Sequence, residues 1–186
     1  ALPILFDGKV IAGTRAKKVR SKSYNAFSSI DYPCLAIIQD GNIMRYIPML
    51  PYEREVAFYE KLDESVFLMK LIPGIRPRML ASIFENYDCI IVESFGVGGI
   101  PQSIADEFYR LCRKYPKKLV VMATQVAHEG SDMTVYEVGY DMKAYCRFLE
   151  SYDMTLESVI AKVMWMLGNY DIAEADVEEI FYRNIN

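Results

Sequence analysis

From residue 65 onward, short continuous apolar runs alternate with segments whose apolar residues return every three or four positions. The three apolar runs occupy residues 66–72, 89–92 and 119–123. Runs of this length without polar alternation are typical of strands that are buried on both faces of a parallel sheet. The strand–helix order predicts right-handed βαβ units, and therefore an α/β domain in which helices flank a small parallel sheet.

The segments between and after these runs carry signals for the ends of helices. Prolines suited to a first helical turn indicate helices that begin near Pro77 and near Pro101. Thr155 is a favourable N-terminal cap for a third helix, and Asp171 with Glu174 has capping-box spacing in front of a fourth. These helices supply the outer layers of the predicted domain.

The first part of the chain has a different pattern, with two pairs of short apolar stretches. An Asp-Gly step joins each pair, at Asp7-Gly8 and at Asp40-Gly41. Asp-Gly between two apolar stretches is a strong signal for a β-hairpin with a two-residue turn. The pattern therefore predicts an appendage of β-hairpins in front of the α/β domain.

Two prolines and a charged stretch follow the second hairpin. We place a domain boundary within residues 47–64 for this reason. The predicted domains are residues 1–50, which form the hairpin appendage and a linker, and residues 51–186, which form the α/β domain.

Composition and charge narrow the class of protein. The 186 residues are 52% hydrophobic, and 21 Lys and Arg stand against 25 Asp and Glu, for a net charge of −4. A globular and mildly acidic chain is a poor candidate for binding nucleic acid or an anionic membrane surface. Residues 15–22 hold five Lys or Arg, which we interpret as a solvated face or a contact with a partner.

The cysteines and the histidine suggest no metal centre. Cys34, Cys89, Cys112 and Cys146 lack CxxC or metal-ligand spacing, and His128 is the only histidine. Scattered cysteines of this kind indicate reduced thiols in a cytoplasmic protein. We therefore expect no metal and no cofactor.

The most informative candidate for ligand binding is the glycine-rich segment at residues 95–101. Ligands of open parallel sheets bind beyond the carboxyl ends of the strands, where this segment is expected. Its small residues let the backbone approach a ligand, and the helix after Pro101 directs free N–H groups toward it. That arrangement suits a carboxylate or a phosphate. Pro101 replaces the third glycine of GxGxxG, so the segment is not a dinucleotide fingerprint, and glycine turns of this kind are more often structural.

No G-x-S-x-G nucleophile elbow occurs, and the residues alone provide no self-contained catalytic set. A set of short segments, in order along the chain, is more informative: Thr14-Arg15 with Lys18-Val19, Asn25-Ala26-Phe27, Tyr32-Pro33, Pro73-Gly74-Ile75, residues 94–101 (SFGVGGIP), Thr124-Gln125, residues 136–139 (YEVG) and residues 153–157 (DMTLE). Taken together, these segments resemble bacterial-type L-asparaginases, with the type I, cytosolic branch the most similar.

The resemblance implies a flavodoxin- or Rossmann-like C-terminal domain of an amidohydrolase. Members of this family hydrolyse the side-chain amide of L-asparagine to L-aspartate and ammonia through an acyl-enzyme on a threonine. Their catalytic threonine, tyrosine, Thr-Asp pair and lysine lie in motifs that would precede Ala1, and none of these motifs occurs here. The expectation is a C-terminal portion with no catalytic residue of its own, inactive in isolation.

The resemblance also implies contacts with substrate bound at a neighbouring subunit of a dimer or tetramer. The positions concerned are Gly98, Gly99, Asp132 and Tyr136, and Gly99 stands where the family has an asparagine. If Asp132 reaches the neighbouring site, its carboxylate would pair with the substrate ammonium.

A second family site, for an asparagine effector, maps to Glu93, Thr124 and Val126, where the family has arginine, threonine and cysteine. A glutamate in place of an arginine reverses the charge that faces a carboxylate, so we expect this effector site to be absent or altered.

Two alternatives remain open on the sequence. The first is the asparaginase-like subunit of a tRNA-dependent amidotransferase. The second is a non-enzymatic module for small-anion binding or oligomerisation, which the glycine at position 99 favours slightly. The start of the chain at Ala1, directly before a strand, favours a portion of a longer enzyme over such a module.

Overall fold

A computed structural model places the chain in two compact units, Ala1–Tyr59 with Asn184–Asn186, and Glu60–Arg183. The predicted boundary between residues 50 and 51 lies outside the described residues and stays a prediction. The structure describes residues 2–48, 57–133 and 146–183.

The first unit is built from short antiparallel strands. These are β1 (Pro3–Phe6), β2 (Lys9–Ala12), β3 (Ala16–Lys18), β4 (Phe27–Ser29), β5 (Ala36–Gln39) and β6 (Asn42–Arg45). A four-stranded sheet has the order β1-β2-β5-β6, and β3 pairs with β4. Asp7 and Gly8 have φ of 51° and 70°, and Asp40 and Gly41 have 51° and 79°. Both turns are therefore left-handed at both central positions, as a type I′ turn requires, and both predicted hairpins are confirmed.

The described residues of the second unit form a parallel sheet and four α-helices. Its elements are β7 (Val66–Lys70), α1 (Leu80–Asn86), β8 (Cys89–Ser94), α2 (Gln102–Lys114), β9 (Leu119–Thr124), β10 (Arg147–Glu150), α3 (Leu156–Asn169) and α4 (Val177–Tyr182). The sheet has the order β10-β9-β8-β7, and every neighbouring pair is parallel. The predicted small parallel sheet with flanking helices is confirmed, and β10 is an additional strand.

Alternate residues of the central strands enter two cores on opposite faces of the sheet. Ile90, Val92, Val120 and Met122 pack in a cluster with the α1 and α2 side chains, which include Phe84 and Phe108. Cys89, Ile91, Leu119 and Val121 pack in a second cluster with Val163, Met166 and Phe181 from α3 and α4. Burial of each large apolar side chain contributes about 1.5–3 kcal/mol, so both strand faces stabilise the unit and the runs are apolar throughout.

The predicted N-terminal cap is confirmed for α3 and is wrong for α4. Thr155 accepts a hydrogen bond from Ser158 N at 3.3 Å and caps α3, as expected. The expected capping box at Asp171 and Glu174 is wrong, because Asp171 Oδ1 accepts from Ala173 N within a turn. Asp176 caps α4 by accepting from Glu179 N at 3.0 Å. Among the described residues, no helix is both long enough and apolar enough to cross a membrane.

Candidate functional site

The carboxyl ends of the parallel strands, which we call the carboxyl edge, are tied together by Gln125. Its Nε2 donates to the carbonyl oxygen of Leu71 at 2.7 Å and to that of Glu93 at 3.0 Å. Its backbone N–H donates to Ser94 O at 2.9 Å. One side chain after β9 therefore satisfies carbonyls at the ends of β7 and β8.

Two hydroxyls hold the start of the glycine loop, residues 95–101. Ser94 is fully buried, and its Oγ donates to Ala123 O at 3.0 Å. Thr124 Oγ1 donates to Gly96 O and accepts from Val126 N at 3.0 Å. Both hydroxyls donate to backbone carbonyls, so each positions backbone and neither donates its proton to a general base.

The two central glycines of the loop have different surroundings. Gly98 has a φ of 143°, and a Cβ added there would lie 2.5 Å from the Sδ of Met133. Gly99 has a φ of 114°, and nothing lies within 4 Å of a Cβ added there. Gly98 is therefore packed, whereas Gly99 borders open space in which a ligand could approach its backbone. The following helix, α2, has no side-chain cap at its N-terminus and no acidic residue in its first turn.

The segment at residues 129–133, which we call the Asp132 segment, lies against the glycine loop. The backbone N–H of Asp132 donates to Val97 O at 2.8 Å, and the Asp132 side chain is exposed. The structure thus brings Gly98, Gly99 and Asp132 to the same edge. Tyr136, the fourth expected contact, lies outside the described residues.

The three expected effector positions also lie at the carboxyl edge: Glu93 on β8, Thr124 at the end of β9 and Val126 two residues after it. Glu93 is buried, and its Oε2 lies 3.0 Å from the Nζ of Lys70. Thr124 pairs in register with Ser94, and Val126 follows with half of its surface exposed. The negative charge of Glu93 is therefore balanced within the domain by a lysine on β7.

Reasoning from the sequence missed Glu150, the last residue of β10. Its side chain is buried, and its Oε1 accepts from Met133 N at 2.6 Å. Arg147 and Glu150 enclose only two apolar residues, so the strand lacks a continuous apolar run and its end carried no signal. The partner, Met133, is seventeen residues away along the chain.

Tyr182 of α4 holds the backbone of Glu150 from the other side. The Glu150 N–H donates to Tyr182 Oη at 2.9 Å, and Tyr182 Oη donates to Glu150 O at 3.0 Å. Burial raises the pKa of Tyr182 to about 12. The hydroxyl is therefore protonated at neutral pH and is available as a donor.

The remaining candidate chemistry does not assemble into a centre. His128 is exposed in the loop after β9. The four cysteines form no disulfide. Burial raises the pKa of Cys89, and the neighbouring Cys146 thiol together with burial raises that of Cys112. Within the described ranges, no three His, Cys, Asp or Glu side chains are grouped so that they could hold a metal ion.

Comparison with family models covers both units of the chain. Residues 65–181 match the glutaminase/asparaginase C-terminal domain, and residues 2–49 match the asparaginase N-terminal domain. The chain belongs to the asparaginase family. The expected family is thereby confirmed.

Individual relatives of the asparaginase family agree with this assignment. The L-asparaginase of Thermococcus kodakarensis is 35% identical over 98% of this chain and 55% of that protein. A glutamyl-tRNA(Gln) amidotransferase component of Archaeoglobus fulgidus is 30% identical over 88% of this chain and 39% of that protein. The chain spans about half the length of the curated relatives it matches.

Solved structures confirm the fold. The thermostable L-asparaginase from Thermococcus kodakarensis superposes with a TM-score of 0.86 at 33% identity, over 98% of this chain and 55% of that one. L-asparaginase I from Vibrio cholerae gives a TM-score of 0.73 at 22% identity, over 89% of this chain and 50% of that one. The second likeness concerns the fold alone.

Proposed function

We propose that this chain supplies the C-terminal α/β domain of an L-asparaginase that hydrolyses L-asparagine to L-aspartate and ammonia. The observation that carries the proposal is the match to both asparaginase family domains along nearly the whole chain. At the carboxyl edge, the hydroxyls of Ser94 and Thr124 donate to backbone carbonyls and hold the loops in place. The family's nucleophilic threonine and its partners belong to motifs that this sequence does not contain.

In this proposal the carboxyl edge holds the amino-acid end of a substrate whose amide is cleaved by groups of a neighbouring subunit. Gly99 offers a backbone N–H beside open space, and Asp132 offers an exposed carboxylate for the substrate ammonium. Gly98 shapes the loop between them, and Tyr136 completes the set. The assembly is then a homo-oligomer, a dimer or a tetramer, in the cytoplasm.

Ammonia release from L-asparagine tests the proposal. The purified chain alone should release none, whereas the protein that also carries the N-terminal catalytic motifs should be active. Asp132→Asn in that protein should raise KM about 10-fold or more with little change in kcat, because a charge-assisted contact to bound substrate is lost. Activity of the chain alone would contradict the assignment of the catalytic groups, and an inactive longer protein would contradict the function.

We further propose that the effector site of the family is altered here. Glu93 is paired with Lys70, so the position that faces an effector carboxylate in the family carries a neutralised negative group. The longer enzyme should show hyperbolic kinetics with L-asparagine, and Thr124→Ala should leave the shape of the curve unchanged. Sigmoidal kinetics that Thr124→Ala abolishes would contradict this.

A second candidate function is the asparaginase-like subunit of a tRNA-dependent amidotransferase, which the glutamyl-tRNA(Gln) amidotransferase relatives support. The same assay separates the two functions, because an amidotransferase component should require a glutamyl-tRNA and a partner protein for full activity. A non-enzymatic anion-binding module would remain inactive in both forms and in both assays.

A further inference from the structure

The buried carboxylate of Glu150 forms a hydrogen bond that the proposed reaction does not itself require. Glu150 ends β10 with only 5% of its surface exposed. Its Oε1 accepts from the backbone N–H of Met133 at 2.6 Å. A hydrogen bond to a carboxylate is about twice as strong as one between neutral groups, and a buried backbone N–H without a partner costs about 1–3 kcal/mol. The contact therefore fixes the position of the Met133 backbone.

Met133 and its neighbours contact the glycine loop from the other side. The Met133 side chain is 2% exposed and occupies the space that a Cβ at Gly98 would need. The preceding residue, Asp132, donates its N–H to Val97 O at 2.8 Å. The residue whose amide Glu150 holds is thus the one that packs against Gly98 and directly follows Asp132.

Local backbone preference does not hold the Asp132 segment in this shape. Glu129 and Gly130 both have a φ of 74°, in the left-handed region. For a non-glycine residue this region costs about 1–2 kcal/mol, so contacts from elsewhere must stabilise the turn. Ser131 provides one set, because its N–H donates to Tyr152 O at 3.0 Å and its Oγ lies 3.2 Å from Ser151 Oγ. Glu150 provides the contact on the other side of Asp132.

Glu150 is itself held firmly enough to act as a support. Tyr182 hydrogen-bonds both its N–H and its carbonyl, and Tyr182 follows the fully buried Phe181 in α4. A continuous series of contacts therefore runs from α4 through Tyr182 and Glu150 to Met133, and from there to Gly98 and Asp132.

We propose that Glu150 is a positioning residue for substrate binding, which fixes Asp132 and the glycine loop through the backbone of Met133. The proposal rests on the proposed function, because it assigns to Glu150 an effect on the amino-acid end of the substrate. Glu150 does not itself touch the substrate, so its loss acts through Asp132. If the Asp132 carboxylate is displaced, the substrate and the transition state are both bound less tightly, by a similar amount. KM therefore rises and kcat is nearly unchanged.

Three substitutions in the complete enzyme test this role. Glu150→Leu removes the acceptor and should raise KM for L-asparagine about 10-fold or more, with kcat within about twofold. Glu150→Asp withdraws the carboxylate by one methylene group and should raise KM even if the leucine variant fails to fold. Glu150→Gln keeps an acceptor oxygen at the same distance, and its KM should remain within about threefold of the parent value.

A double-mutant cycle separates positioning from general stability. In an Asp132→Asn background, Glu150→Asp should raise KM little further, because both changes act on the same contact, the one between Asp132 and the substrate ammonium. Additive effects, or an unchanged KM in Glu150→Asp together with a lowered melting temperature, would overturn the positioning role.

Hydrogen exchange of the Met133 amide in this chain provides a readout that does not depend on activity. Protection should be retained in Glu150→Gln and lost in Glu150→Asp. If the complete enzyme does not hydrolyse asparagine but the exchange pattern is as expected, the proposed function fails while the contact stands. If protection is unchanged in Glu150→Asp, the inference itself fails.

Discussion

The two ends of the parallel sheet use polar side chains in different ways. At the amino edge, where β8 and β9 begin, Lys118 Nζ lies 2.9 Å from Asp88 Oδ1 in a partly exposed ion pair, and Ser65 Oγ accepts from Asp88 N at 2.9 Å. At the carboxyl edge, Ser94 and Gln125 donate to backbone carbonyls of neighbouring strands, in buried or half-buried positions. The ion pair at the amino edge is in contact with water, whereas buried or half-buried hydrogen bonds hold the loops at the carboxyl edge.

This contrast explains why the candidate site lies at only one end of the sheet. A surface ion pair contributes about 0–1 kcal/mol because water competes for both partners. A buried polar group that loses its hydrogen-bond partner costs about 1–3 kcal/mol. Side chains at the carboxyl edge can therefore hold a loop in one shape, as a substrate contact needs. Four substitutions test this comparison.

The largest effect is expected for Gly98→Ala in the glycine loop. The new Cβ would meet Met133 Sδ at 2.5 Å in a left-handed backbone conformation, which should lower the free energy of unfolding by about 2–4 kcal/mol. Urea denaturation measures the change. Gly99→Ala is the matched control, because it has a similar backbone conformation and open space, and it should cost about 1–2 kcal/mol. Equal losses at both positions would mean that packing against Met133 is unimportant.

A smaller loss is expected for Gln125→Met, which removes the donor that joins β7 and β8. The Leu71 carbonyl would lose its amide donor, at a cost of about 1–3 kcal/mol in unfolding free energy, whereas Glu93 O still accepts from Leu71 N at 3.0 Å. Asn86→Met removes the exposed hydrogen bond that the Asn86 side-chain amide donates to Ser82 O on α1, and it should cost less than about 0.5 kcal/mol. If the two variants lose the same free energy of unfolding, the Gln125 hydrogen bonds at the carboxyl edge stabilise the domain no more than an exposed one does.

Tyr182→Phe should cost about 0.5–1.5 kcal/mol at pH 7, since both of its bonds to the Glu150 backbone are lost. The folded-state pKa of about 12 lies above the ordinary value of about 10, so folding favours the protonated phenol. That contribution is complete below about pH 10 and is lost as the pH rises to about 12. The difference in melting temperature between parent and variant should shrink over this range. The exposed Tyr46→Phe serves as the control and should leave the melting temperature at pH 7 nearly unchanged.

The smallest effect is expected at the amino edge, for Lys118→Met. Partial burial alone would raise the pKa of Asp88, but hydrogen bonds with Lys118 and Ser65 and the lysine charge lower it below its usual value. The ion pair should contribute less than about 1 kcal/mol at pH 7 and lose its effect as the pH falls below about 4. Salt titration of the unfolding free energy should reduce the difference further. A loss as large as that of Gln125→Met would remove the contrast between the edges.

The fold could be predicted from the sequence wherever a pattern was local. The strands β7 to β9 are continuous apolar runs because both faces of the sheet are covered, and the Asp-Gly steps mark turns that need two left-handed residues. The strand β10 was missed because it contains only two consecutive apolar residues between Arg147 and Glu150. The cap of α4 was assigned to Asp171 instead of Asp176, because both aspartates precede the same apolar residues.

The candidate site was accessible from the sequence only in part. Small residues after an apolar run pointed to Gly98 and Gly99, and the resemblance to asparaginases pointed to Asp132. No pattern distinguished the packed Gly98 from the open Gly99, since the difference depends on Met133, which lies 35 positions further along the chain than Gly98.

The two hairpins and the apolar runs of the sheet could be predicted from the chain itself, because each depends on residues a few positions apart, and the family was indicated by the resemblance of an ordered set of short segments. The roles of Gln125 and Glu150 emerged from the folded chain. Each bonds to backbone groups between 17 and 54 residues away. Such contacts exist only once the parallel strands have aligned their ends, and the alignment is set by packing on both faces of the sheet rather than by the residues adjacent in sequence.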